Sequence, residues 1–112
     1  MYKSEIVKGL KIDKKTLDKI PKEFGEAKIS RNGRGLRWEK DNGNHIRISK
    51  GNPNADFPPQ RVDHARITIN GKVIKRDGTG ITADQFGVKT KQNADAHIPL
   101  EELAAILEKV IK

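Results

Sequence analysis

The chain has 112 residues, no cysteine, only five aromatic residues and no apolar run near the ~20 residues that would cross a bilayer. Without cysteine there is no disulfide framework, no thiolate zinc site and no thiol nucleophile, so the chain is indifferent to redox compartment. Its opening residues, MYKSEIVKGLK, lack the apolar region of a signal peptide. Hydrophobic residues make up only 34% of the chain, which predicts a small core carried by well-placed Ile, Val and Leu. HExxH, CxxC, GxGxxG and phosphate-loop lysine motifs are absent, and no Ser or Thr has the adjacent His of a serine-type hydrolase. No internal repeat or low-complexity tract is present.

What is present is positive charge. Twenty-three Lys and Arg against fifteen Asp and Glu give a net charge of +8, spread along the chain rather than gathered in a tail. A broadly positive surface attracts polyanions, and nucleic acid is the first candidate partner. The length is that of one domain, expected to occupy residues 1–112 with 1–10 disordered.

Along the chain, Asp13 is placed to cap a short helix over KKTLDKI, with Ile12 stapling onto Leu17, and Pro21 ends it. LRWEK and HIRIS alternate about the Asn42-Gly43 pair and predict a β-hairpin. HARITIN and KVIK predict a second about Asn70-Gly71. From Asp77 to Ala96 the periodicity is weak and a loop is expected, with a short strand at Phe86 to Val88. Pro99 suits the first position of a terminal helix whose apolar stripe is Leu100, Leu103, Leu107 and Val110. The sum is an α+β domain: a twisted antiparallel sheet of about four strands, with N-terminal and C-terminal helices on one face.

A strand period of two then leaves Arg37, Glu39, His45, Arg47, Ser49, His64, Arg66 and Thr68 on the other face. Any half-solvated sheet turns polar residues outward, yet three Arg and two His differ from the Lys, Glu and Thr of a bland surface. Arginine forks suit phosphate, and imidazole exchanges protons near neutral pH. RNA is cleaved without metal when a base takes the ribose 2′-OH proton, an acid protonates the departing 5′ oxygen and cations stabilise the phosphorane between them. Each histidine also has a quieter reading. His45 can be a solvated strand residue, His64 can bond within its own loop, and His97 can fix the end of the helix.

Two other functions compete. VDHARI resembles the first Asp-His of metal-dependent nucleases with a metal finger, with Asn93 and His97 as later partners, but His97 precedes the expected helix rather than lying on it. A basic RNA-binding module would use Trp38 or Phe57 to stack on bases, although Trp38 falls on the core face.

The runs RGLRWE, HIRISKGNPN, PPQRVDHARI, NGKVI, DGTGI and DAHIPLEEL, in that order from Arg34 to about Leu103, resemble the C-terminal toxin modules of bacterial polymorphic toxins. These modules end contact-dependent inhibition, Rhs-type and related delivery proteins. The resemblance implies a ribonuclease sharing the barnase, EndoU, colicin and RelE type of fold. Its motifs fall on Arg37, Arg47, Asn52, Asn54, Gln60, Asp63, His64 and His97. Similar modules accept Tyr as well as His where His64 stands, which raises His97 relative to it. The expectation is a monomeric toxin that leaves the producing bacterium, cleaves tRNA or rRNA in the target cytoplasm and is held by a cognate acidic immunity protein. No cofactor, metal or membrane contact is expected. His97, His64 and Arg47 are the candidate catalytic residues, and Arg37, Arg66, Asn52, Asn54, Gln60, Lys50 and Thr68 the candidate substrate contacts. The Pro-rich stretch GNPNADFPPQRVDH, residues 51–64, is expected to be a stiff rim between the hairpins that sets Asn52, Asn54 and Gln60 beside the Arg and His face.

Overall fold

A computed structural model describes Ile12 and residues 14–29, 33–41, 43–82 and 91–110. The two expected hairpins form its centre. Strands β2 (Gly35–Asp41) and β3 (Asn44–Ser49) pair antiparallel, and β3 pairs in turn with β4 (His64–Ile69), which folds back on β5 (Lys72–Ile74). At the second turn Asn70 and Gly71 take φ of 52° and 80°, the left-handed pair that matches the twist of a two-residue hairpin.

Among the described residues the sheet has seven strands, not about four. The additional ones are β1 (Lys28–Ile29), β6 (Gly80–Ile81) and β7 (Ile98–Pro99). Each has two residues, too few for alternation to register in the sequence. The order is β1-β2-β3-β4-β5-β6, and β7 pairs antiparallel with the start of β4. The segment expected to be loop also holds helix α2 (Lys91–Ala96). The expected strand at Phe86 to Val88, the Asp13 cap and the disorder of 1–10 lie outside the described residues.

Pro99 does not open the terminal helix. It is extended, with φ −55° and ψ 138°, and ends β7; a 3-10 turn at Leu100–Glu102 follows before helix α3 (Leu103–Val110). Proline is tolerated there because β7 is short and peripheral, where a missing amide donor costs little.

Inward-facing side chains stack in rows fixed by the register. Leu36, Ile48, Ala65 and Ile98 form one row across β2, β3, β4 and β7, and Trp38, Ile46 and Ile67 form the next. Helix α1 (Lys14–Asp18) with its flanks brings Ile12, Ile20 and Phe24 to this face, and α3 brings Leu103, Ile106 and Leu107. Lys19, just after α1, forms an ion pair with Glu108 of α3. The core is thus one layer between helices and sheet, and most of its large side chains are β-branched, as a pleated surface favours.

Ile67 has no exposure, so Ile67→Ala is expected to cost about 2–5 kcal/mol, read from the denaturant midpoint. Val62→Ala, at a position 56% exposed, is expected to shift the same midpoint by about 0.5 kcal/mol or less.

Candidate active site

On the face away from the core helices, the register builds rows of a different kind. Lys28, Arg37, Arg47 and Arg66 lie directly opposite one another across β1, β2, β3 and β4. Like charges placed opposite in a sheet are destabilising, so this row opposes folding rather than aiding it. Arg37 is relieved in part by an ion pair with Glu39 at 3.0 Å, while its Nε is buried without a hydrogen-bond partner. The Arg66 guanidinium is half-buried, and its pKa is lowered first by desolvation and then by the charge of Arg47.

The row beside it runs Gly35, Ser49, His64 and Pro99. Because Ile98 of β7 points into the core opposite Ala65, the residue before it turns outward, and one further step of the register carries His97 to the level of Arg66. The His64 and His97 rings then meet with centroids 5.1 Å apart and planes tilted by 46°. Phe57 also contacts His97, edge to face at 5.4 Å, and His97 is 5% exposed.

Together Arg47, Ser49, Gln60, His64, Arg66 and His97 line a cavity of about 180 Å³. His64 Nδ1 lies 2.8 Å from the Val62 carbonyl oxygen, which can only accept, so Nδ1 carries the proton. Desolvation lowers the His64 pKa below its ordinary 6.5, reinforced by Arg66 and opposed by the Val62 bond and Asp63. A neutral ring in that tautomer keeps its Nε2 lone pair available to take a proton.

The Pro-rich stretch is a closed loop with its two ends held together. The Gly51 amide donates to Asp63 Oδ1 at 2.8 Å, Arg34 donates to the Gly51 carbonyl at 3.1 Å, and the Asn52 amide donates to the Gln60 carbonyl at 2.9 Å. Asn52 Oδ1 accepts the Asn54 amide at 3.0 Å, which makes an Asx turn, and Arg61 folds back onto the Ala55 carbonyl at 2.8 Å. Pro58–Gln60 form a 3-10 turn that brings Gln60 to the cavity and follows directly on Phe57.

The candidate residues are therefore divided. Arg47, Gln60, His64, Arg66 and His97 line the cavity, and Arg37 lies in the cation row one strand beyond Arg47. Asn52 commits its side-chain oxygen to its own turn, and neither it nor the exposed Asn54 reaches the cavity lining. Lys50 is half-buried beside the loop, its amide bonded to the Arg34 carbonyl at 2.8 Å. Thr68 is 7% exposed and belongs to the row Glu39, His45, Thr68, Val73 and Ile81, outside the cavity. The side chain of Asn93 lies outside the described residues.

Sequence reasoning missed Lys28 and the contact of Phe57 with His97. Two-residue β1 carries no pattern that would align Lys28 with Arg37, and Phe57 meets His97 across forty residues of chain.

A larger groove of about 680 Å³ is lined by Ile12, Thr16, Val62, Asp63, Pro99, Leu100 and Glu101. Its described lining is mixed, apolar side chains with Thr16 and two carboxylates, and the carboxylates repel a polyanion. Among the described residues, no three His, Cys, Asp or Glu gather closely enough to hold a metal ion, and no helix is long and apolar enough to cross a membrane. Comparison with family models, with characterised proteins and with solved structures finds no match.

Two predictions follow from this geometry. A Cβ on Gly51 would sit 2.4 Å from the Val62 carbonyl carbon, so Gly51→Ala is expected to part the loop ends at roughly 1–3 kcal/mol, read as a lowered melting midpoint. With its folded pKa lowered, His64 contributes stability that is intact above 6.5 and is lost as pH falls through its folded value. Denaturant midpoints taken between about pH 5 and 8 should fall toward acid in the parent protein and less steeply in His64→Gln. Equal slopes would mean that His64 is not held neutral by burial.

Proposed function

We propose that the protein is a metal-independent endoribonuclease, acting on RNA by attack of the ribose 2′-OH on the adjacent phosphate. The observation that carries this reading is the meeting of two imidazoles with Arg47 and Arg66 around one small cavity on a cationic face. His64 Nε2 takes the 2′-OH proton, with its Nδ1–H held by the Val62 carbonyl so that the ring keeps the required tautomer. The O2′–P bond forms as the P–O5′ bond breaks, and Arg47 and Arg66 stabilise the charge on the phosphorane. His97, in ring contact with both Phe57 and His64, gives a proton to the leaving 5′ oxygen. The products are a 2′,3′-cyclic phosphate and a 5′-hydroxyl. Gln60 and Ser49 complete the lining as neutral hydrogen-bonding groups.

Arginines stand where a divalent-metal site would place carboxylates, which supports this chemistry over a metal finger built on His64. The resemblance to polymorphic-toxin modules supports a biological setting: a toxin that cleaves tRNA or rRNA in a target bacterium, with an acidic immunity protein covering the same face.

Incubation with bacterial RNA in EDTA, followed by end-mapping, is expected to give fragments with cyclic phosphate and 5′-hydroxyl ends. A 2′-deoxy substitution at the cut site should abolish cleavage. His64→Ala and His97→Ala are each expected to slow cleavage by roughly 10²–10⁴-fold. RNA that stays intact in EDTA but is cut with magnesium would overturn the metal-free mechanism, and salt-sensitive binding without any cleavage would leave a binding module.

A further inference from the structure

We propose that Arg37, with Lys28 beyond it, forms a second phosphate site that takes a neighbouring phosphate of the same RNA strand. The polynucleotide then crosses the sheet perpendicular to its strands, from β4 toward β1. This rests on the reading of the His64 and His97 cavity as the place of the scissile phosphate.

The first argument is distance. Arg66 and Arg37 are two strands apart, about 10 Å at the usual strand spacing, and Lys28 lies one strand further. Side chains separated in this way are better spaced for successive phosphates than for a single one. The second is orientation. Arg37 is tied to Glu39 at 3.0 Å through one end of its guanidinium, and its side chain remains partly exposed. The ion pair fixes the direction of the fork, and a planar fork held in place is the geometry in which arginine takes phosphate.

The third argument is the character of the neighbouring rows. On one side lie Gly35, Ser49, His64 and Pro99, and on the other Glu39, His45, Thr68, Val73 and Ile81. Neither row is a track of cations. Of these three outer-face rows, only Arg66, Arg47, Arg37 and Lys28 carries a run of positive charge from the cavity wall. A phosphate backbone following that line replaces the mutual repulsion of the row with attraction.

The test uses the whole protein and short RNAs with a single preferred cut, in which each flanking phosphate in turn is replaced by an uncharged methylphosphonate. KM for cleavage is the first readout. Binding of the same series carrying a 2′-deoxy block at the cut site is the second, and it does not depend on catalysis. One neighbouring position is expected to weaken binding roughly tenfold in the parent, and this penalty should shrink in Arg37→Gln. The slope of log K against log salt should also fall by about 0.7 in Arg37→Gln, the single-strand value for one lost phosphate contact. Lys28→Gln, on the exposed edge strand, should show a smaller change of the same sign. Insensitivity to every flanking replacement, or an equal penalty in parent and Arg37→Gln, would overturn the second site while leaving cleavage intact. Loss of the cleavage reading would appear separately, as RNA left whole beside a binding penalty that persists.

Discussion

Everything in this structure is tied to β4. Its alternation sends Ala65, Ile67 and Ile69 toward the helices and His64, Arg66 and Thr68 to the opposite face, so one six-residue segment supplies both core and chemistry. One edge of β4 is taken by β3 along most of its length, and the other is shared between β5 and β7. A shift of one residue in that register would bury two charged or titratable groups and expose the apolar set, and the fully buried Ala65 and Ile67 prevent it.

β7 shows how little structure is needed to complete a site. It has two residues, yet its pairing with β4 turns Ile98 inward and His97 outward, against a ring thirty-three positions earlier in the chain. The loop from Gly51 to Asp63 supplies the remaining wall. Bonds between its ends hold Phe57 and Gln60 in place, so prolines and glycine serve position rather than flexibility. Gly51 tolerates no side chain because the Val62 backbone occupies that space.

The electrostatics run against stability. Four cations in register, a half-buried Arg66 and an imidazole kept neutral by desolvation all raise the energy of the folded chain. Electrostatically costly arrangements of this kind are enriched at functional sites, which is what motivates the proposed phosphate contacts. The inward rows of Ile, Leu and Trp offset them by burying apolar surface.

Two hairpins, Leu103 and Leu107 as core positions of the last helix and the polarity of each sheet face were legible in the residues, because periodicity and a turn such as Asn70-Gly71 are local properties. The Arg and His types on the outer face were legible for the same reason. Strands β1, β6 and β7 were not, since two residues carry no period. Pro99 read as a helix start because its ring suits that position equally well, and only pairing with His64 makes it a strand end. That the Asn52 oxygen accepts the Asn54 amide was not legible either, because composition does not rank one hydrogen bond against another. Within β2, β3 and β4 the amino-acid order alone determined which side chains face away from the core. The tertiary structure decided which of them meet, because the alignment of Lys28 with three arginines and the contact of His97 with His64 depend on long-range pairing that no local pattern encodes.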